Sequence, residues 1–413
     1  MNYAVKNIYG KTNNRPVVVT VPGSKSITAR AMLIAALVDG VSTLYGAQFS
    51  DDCETFLNCL SALGIRYLRE GTTLKIEGCG GNFENKKAEL YVGSAGTAAR
   101  FLPALLAFSD GEYTLTCSEQ MKNRPIEPLI NSLKKIGAKF TFLESENSYP
   151  FIIRGTKNPD TDIEVDVGES SQFLSALLIS AVCAQKPVNI RVNGIHGRDY
   201  IDMTLNVMWS FGVSVKEGKG VYTVEGAYAP KRYHIEPDIS AAAYFYAMNR
   251  VLDTDIRVNG LMPHSMQGDS KFINLLKDFD GGKVDMSSFS DQALTLAAIA
   301  PYFNNPTEII GVAHIRRQEC DRIHAIVHNL TAMGIRCEER ADGVKIYPSQ
   351  PRPAHIDTFG DHRVAMSFAI TGLRADGIVI DSAEVCSKTF KEYFETLDYI
   401  ISEIYSQNRG DTE

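Results

Sequence analysis

The sequence predicts a duplicated α/β protein of two similar domains, each built from three copies of one strand–helix unit. Three observations predict it. The chain has 413 residues, too many for one ordinary hydrophobic core. A small or polar lead-in followed by an apolar helix rich in Ala, Leu and Ile recurs six times. A second, more amphipathic helix follows each of these after about thirty residues, giving a period of about 70 residues with a shorter fifth interval. That period is too long for a simple solenoid and fits strand, helix, strand, helix, strand, strand.

The first helices are read at Gly23–Leu37, Val92–Phe108, Gly168–Ala184, Asp238–Met248, Ser290–Tyr302 and Gly360–Gly372. Their apolar residues cover nearly every face, so they should be buried. The second helices should begin near Asp51, Pro125, Asp199, Gly268, Glu319 and Lys388. Four of them end on a related phrase: LSALGIRY, LKKIGAKF, MWSFGVSV and LTAMGIRC, in which the Gly stops the helix. Alternating strands follow at Thr73–Glu77, Pro150–Arg154, Val221–Glu225 and Val344–Tyr347. Three units per half put the domain boundary where Pro230 and Pro237 punctuate the chain. The strand Pro16–Thr20 precedes the first unit and can belong to the second half. The expected domains are therefore 21–236 and 1–20 with 237–413, hinged near 20 and 237.

Apolar content of 44% and charged content of 22% are those of a globular protein. A net charge of −7 argues against a nucleic-acid or membrane-surface partner. The eight cysteines form no CxxC pair and read as reduced, scattered thiols of a cytoplasmic protein. MNYAVKNIYG lacks the apolar core of a signal peptide.

Against that acidic background, cations stand at or beside helix starts in both halves: Lys25, Arg30, Arg100, Arg124, Arg198, Arg322, Arg363 and Lys388. One such residue is a solvated side chain. Eight imply a polyanionic ligand held between two domains. Gly93 to Ala99 has no large side chain, so backbone at Gly96 can approach a ligand closely. Arg124 precedes Pro125, which suits the first turn of a helix; a cation there faces the positive dipole end unless an anion lies between them. Ser170, Ser171 and Gln172 are neutral donors before a buried helix, and Leu174 stands where the acidic or amide partner of a capping box on Ser171 belongs. Asp291 and Glu319 lie among the cations and can serve as general acid–base groups. GSKS is not a phosphate-binding P-loop, because Ser24 stands where that motif needs Gly before Lys25. His324 and His328 lack the Glu of a zinc-protease helix, Cys386 reads as a buried thiol, and neither a metal nor a cofactor is expected. The residues alone give a two-domain α/β enzyme acting on phosphorylated or carboxylated small molecules.

The motifs PGSKSITAR, GSAGTAAR, RPIEPL, ESSQFLSALL, DYIDMTL, QECDRI, GDHRVAM and SKTF occur in this order from about Val19 to Leu397. In them the chain resembles the EPSP synthase (3-phosphoshikimate 1-carboxyvinyltransferase) family. The resemblance implies a two-domain inverted, inside-out α/β barrel of six βαβαββ repeats, three per domain. It implies transfer of the enolpyruvyl group of phosphoenolpyruvate to the 5-hydroxyl of shikimate 3-phosphate, by a cytoplasmic monomer that glyphosate inhibits. Carried over by position, Lys25, Ser26, Arg30, Ser170, Ser171, Gln172, Arg198, Asp291 and Gln318 would contact shikimate 3-phosphate. Lys25, Gly96, Arg124, Gln172, Arg322, Arg363 and Lys388 would contact phosphoenolpyruvate. Asp291 would take the proton of the 5-hydroxyl, and Glu319 with Lys25 would handle the proton on the methylene carbon. The chain departs from the family pattern at Gln318, where a Lys is common, and at His314, Phe101 and Gly197. The alternatives are the sister enzyme acting on UDP-N-acetylglucosamine, which lacks the SSQ and DHR signatures, and a non-catalytic phosphometabolite sensor, which would not need both Asp291 and Glu319.

Overall fold

Helices that are apolar all round can only be satisfied in an interior, and the six observed ones are. In the computed structural model, which describes residues 1–194, 198–262 and 264–409, they are Lys25–Leu37, Ala98–Ala107, Gln172–Ser180, Ile239–Leu252, Ala293–Ile299 and His362–Gly372. All ten residues of Ala98–Ala107 are buried, Arg100 and the mid-helix Pro103 included. Full burial of one Leu, Ile or Phe side chain is worth roughly 1.5–3 kcal/mol, so these helices dominate the stability of each core.

The chain divides into two units, Gly23–Glu236 and the joined segments Met1–Pro22 with Pro237–Glu413. Among the described residues each holds three buried helices packed together and three sheets around them, the inverse of the usual barrel in which helices surround strands. The repeat is clearest in the sheet of Lys87–Tyr91, Glu112–Thr116, Phe151–Arg154 and Lys139–Phe142. Lys87–Tyr91 runs parallel to Glu112–Thr116 across the crossover helix Ala98–Ala107, and the remaining pairs are antiparallel. The same pattern holds for Asp162–Asp166, Val188–Asn193, Val221–Val224 and Val215–Gly218, and for Gly282–Asp285, Thr307–Ile310, Gly343–Ile346 and Cys337–Arg340. A third sheet of the first unit joins Arg232–His234 in parallel to Asp39–Tyr45.

The second unit has two abbreviated sheets, and both use the N-terminal segment. Val17–Val19 pairs in parallel with Ile256–Val258, and Tyr3–Ala4 pairs antiparallel with Ile378–Ile380. The recurring phrase ends its helices as its glycine requires. Gly137 caps Glu127–Ile136 in the left-handed region at φ 108°, a conformation costly for any residue with a Cβ.

Four expected helix starts move. The one read near Gly268 lies at Ser270. Glu127–Ile136 begins after Pro125 because Pro128 takes the place in its first turn; Arg124 is left in the preceding loop. The helix expected from Glu319 begins at Arg322, capped by Asp321, whose carboxylate accepts from the His324 amide. Lys388 closes the 3₁₀ turn Ala383–Lys388, and the long helix begins at Tyr393.

Candidate functional site

In the unit Gly23–Glu236 the helix Lys25–Leu37 starts without a side-chain cap. Lys25 at its first position sets Nζ 3.1 Å from Oδ2 of Asp52, a buried carboxylate at the start of Asp51–Ala62. One turn on, Arg30 is buried among neutral oxygens. Its Nε donates to Thr204 Oγ1 (2.7 Å) and Nη1 to the Ser26 carbonyl (2.9 Å). Nη2 donates to the Tyr200 carbonyl (3.3 Å) and Ser175 Oγ (3.4 Å). One guanidinium thus ties together Lys25–Leu37, Gln172–Ser180 and Asp199–Ser210. Burial is the main influence on its proton affinity and pushes the guanidinium down to about 10.

The Gly96 loop is fastened by Arg100, whose Nη2 donates to the Pro125 carbonyl (2.7 Å) and Nη1 to the Gly96 carbonyl (3.4 Å). Arg100 therefore acts as a structural staple. It brings Arg124 under Gly96: a Cβ at 96 would stand 3.1 Å from both terminal nitrogens of Arg124. At the third helix, Ser170 Oγ accepts from the Gln172 amide (3.2 Å), whereas Ser171, at the cap position, makes no side-chain cap.

Arg198 is the exception among the expected contacts. Its Nε donates to Asp202 (3.0 Å) and its Nη1 to Glu217 (2.7 Å) on the neighbouring strand. These carboxylates hold it above its usual range, Glu217 first and then Asp202, and the side chain is 55% exposed. In this structure it forms a surface ion pair with both carboxylates. Gly197, beside it, lies outside the described residues.

The unit of Met1–Pro22 and Pro237–Glu413 gathers its charges differently. Arg322, 2% exposed, reaches three carboxylates: Asp361 Oδ2 from Nε (2.7 Å), Asp291 Oδ1 from Nη1 (3.0 Å) and Glu319 Oε2 from Nη2 (2.9 Å). Gln318 Oε1 also accepts from Nη1. Burial would lower this guanidinium, but Asp361, Glu319 and Asp291 together outweigh it and hold it above its usual range. Arg363 donates to the second oxygen of Asp291 (2.9 Å), and Lys388 Nζ lies 4.0 Å from Glu319. Asp291 sits on a 3₁₀ turn, Ser290–Gln292, directly before the buried helix Ala293–Ile299.

Sequence reasoning named Asp291, Gln318, Glu319, Arg322, Arg363 and Lys388, and they come together in one cluster. It missed Asp361, which is wholly buried, binds Arg322 and caps its own helix by accepting from the Arg363 amide. The DHR motif carried that signal, an acid before a buried helix. It also missed Asp52, for which an acidic helix start gave only the ordinary dipole reading.

The departures have local explanations. His314 Nε2 lies 2.8 Å from Ser290 Oγ, beside Asp291. Phe101 is wholly buried and meets Phe56 edge-on. Arg316, two residues before Gln318, is bound to Asp321 and Glu339. The His324 and His328 rings pack on Phe359. Cys386 is a buried thiol, raised mainly by burial and further by Asp361.

Such an arrangement can hold anionic oxygens on several cations while carboxylates beside them move protons. The comparisons with known proteins point the same way. The EPSP synthase (3-phosphoshikimate 1-carboxyvinyltransferase) family model matches residues 13–281 and 276–397. A 3-phosphoshikimate 1-carboxyvinyltransferase of Trichormus variabilis is 41% identical over 408 residues, spanning 92% of this chain and 96% of its own. One from Opitutus terrae is 39% identical over 402 residues, spanning 92% and 93%. An EPSP synthase structure from Acinetobacter baumannii gives a TM-score of 0.80 at 21% identity over 96% of this chain and 98% of that one. The enolpyruvyl transferase NikO from Streptomyces tendae gives 0.74 at 16% identity over 96% of each. The two structural likenesses speak for the fold.

Proposed function

Because this chain belongs to the EPSP synthase (3-phosphoshikimate 1-carboxyvinyltransferase) family, we propose that it transfers the enolpyruvyl group of phosphoenolpyruvate to the 5-hydroxyl of shikimate 3-phosphate, with its acid–base groups in the Arg322 cluster. The 5-hydroxyl oxygen adds to C2 of phosphoenolpyruvate while C3 takes up a proton. Phosphate then leaves C2 as C3 gives a proton back, restoring the double bond. Asp291 accepts the hydroxyl proton. Glu319 with Lys25 serves C3 in both directions.

The observation that carries this reading is the interleaving of Asp291 and Glu319 with Arg322, Arg363 and Lys388. A carboxylate held on a guanidinium is ionised and fixed in place, as a proton acceptor must be. The cations, with Arg124 beside Gly96, neutralise the phosphate and carboxylate of phosphoenolpyruvate and of the tetrahedral adduct. Lys25, Ser26, Arg30, Ser170, Ser171 and Gln172 bind shikimate 3-phosphate. Gln318 is a neutral contact for its ring hydroxyls, and Gln172 also touches phosphoenolpyruvate.

The protein works as a cytoplasmic monomer on these two small molecules and needs no cofactor. Its eight free thiols support a reducing compartment, and gel filtration tests the monomer. For the reaction, phosphate release is measured with phosphoenolpyruvate plus shikimate 3-phosphate, and again with UDP-N-acetylglucosamine. Release with shikimate 3-phosphate alone as acceptor is expected, lost in Asp291→Asn. Release only with the nucleotide sugar, or full activity in Asp291→Asn, would sink the reading.

A further inference from the structure

One buried carboxylate beside this cluster has no role in the reaction just described. Asp269 precedes the helix Ser270–Leu276 and reads in the sequence as a helix cap, yet its side chain makes no capping bond. Oδ2 instead accepts from Gln292 Nε2 (2.9 Å) and from Ser240 Oγ. Gln292 is the residue after Asp291, wholly buried, and its amide oxygen accepts from Thr295 Oγ1 (3.1 Å). Both ends of the Gln292 amide are therefore fixed, and with them the short turn that presents Asp291.

We propose that Asp269 is a positioning residue for Asp291: it fixes the Ser290–Gln292 turn through Gln292 and sets the charge environment of the proton-accepting carboxylate. The proposal rests on the reading of Asp291 given above. An Asn would make similar hydrogen bonds without burying a charge, so the choice of Asp calls for a reason. Burial first, and then the charge of Asp291, push Asp269 up to about 6; Arg363 opposes them. The interaction is mutual, so Asp269 in turn makes Asp291 a better proton acceptor.

The groups facing this pair come from every neighbouring element. Ser240 and Tyr244 lie on Ile239–Leu252, Arg363 and its cap Asp361 on His362–Gly372, and Arg322 at the head of Arg322–Ala332. Glu319 acts through Arg322, Lys388 through Glu319, and His314 through Ser290. Among them Arg322 and Arg363 favour the ionised form of Asp291, and Asp269 opposes them.

The test is the pH profile of kcat/KM for Asp269→Asn, with Gln292→Leu as the companion variant. In Asp269→Asn the part of the profile that rises as Asp269 ionises, near pH 6, is expected to be lost, so that the acidic limb moves down, with kcat at neutral pH reduced about 3–10-fold. Gln292→Leu keeps the charge and cuts the link, so kcat should fall about 10-fold or more with the limb in place and KM values within about twofold. An Asp269→Asn limb that stays put, or wild-type kcat in Gln292→Leu, overturns the proposal. A purely structural Asp269 would lower the melting temperature without moving the limb. Failure of the underlying reading looks different: Asp291→Asn would keep its activity whatever stands at 269.

Discussion

Two arginines are buried to nearly the same degree, and they are stabilised in opposite ways. Arg30, in the unit Gly23–Glu236, gives its hydrogen bonds to two hydroxyls and two carbonyls. Arg322, in the other unit, gives its bonds to three carboxylates and an amide oxygen. Burial lowers the first, and carboxylates raise the second despite burial. Under the proposed function the difference separates two tasks. A cation among neutral dipoles keeps its charge for an anionic ligand. A cation shared by carboxylates organises proton-transfer groups, and removing it leaves them without their common counter-charge.

The largest effect should therefore follow Arg322→Ala. Urea denaturation is expected to show a loss of about 3–5 kcal/mol. kcat/KM should fall by at least about a thousandfold as Asp291 and Glu319 lose their anchor. Near-wild-type stability would break the contrast.

The carboxylate-rich unit should also carry the stronger pH dependence. Asp269 is raised in the folded state from 3.8 to about 6, so the native protein binds its proton more tightly than the unfolded chain. The stability this provides is full below about pH 4 and is lost as the pH rises through about 6. Asp269→Asn removes the effect. Its stability relative to wild type should rise by about 1–3 kcal/mol between pH 4 and 7, read from urea titrations at several pH values. A constant difference would mean that Asp269 titrates alike in both states. Greater stability with weaker catalysis is the trade expected at an active site.

Arg30→Met is the counterpart to Arg322→Ala. The Thr204 and Ser175 hydroxyls lie 2.8 Å apart and can satisfy each other, so the fold should lose only about 1–2 kcal/mol. The KM for shikimate 3-phosphate should rise about 10–100-fold. A stability loss matching that of Arg322→Ala would erase the distinction between the two arginines.

The smallest effect is steric. Gly96→Ala sets a methyl 3.1 Å from the Arg124 guanidinium, which must yield by a few tenths of an ångström. The KM for phosphoenolpyruvate should rise about 3–10-fold, with glyphosate inhibition weakened more. Equal losses for both would show that the methyl does not discriminate between them.

Much of this was legible because the signals are local. Helices apolar on every face have one destination, and the glycine of the recurring phrase has one conformation. DHR before VAMSFAI could not be a solvated charge run, because the helix it opens is buried. Other features depend on which distant residue a side chain meets. Nothing near Arg198 announces Glu217, which reaches it from a strand of the neighbouring sheet. Asp269 imitates a helix cap, and its partners Ser240 and Gln292 belong to other elements. Pro125 and Pro128 are both plausible first-turn prolines, and only packing selects the second. Lys388 precedes a polar stretch that holds a 3₁₀ turn before the long helix starts.

The pairing of Val17–Val19 with Ile256–Val258, and of Tyr3–Ala4 with Ile378–Ile380, has a meaning for biosynthesis. The first strands leave the ribosome before any of their partners exist. All of Gly23–Glu236 must be translated in between, roughly ten to forty seconds at about 5–20 residues per second. That continuous stretch can collapse on its own three helices as it emerges. Meanwhile three consecutive valines wait as an unpaired, β-prone segment, open to pairing with another nascent chain. On crowded polysomes, the vulnerable period of this protein falls while Gly23–Glu236 is being translated, and it is the unit remote in sequence from Asp291 and Glu319 that folds through it.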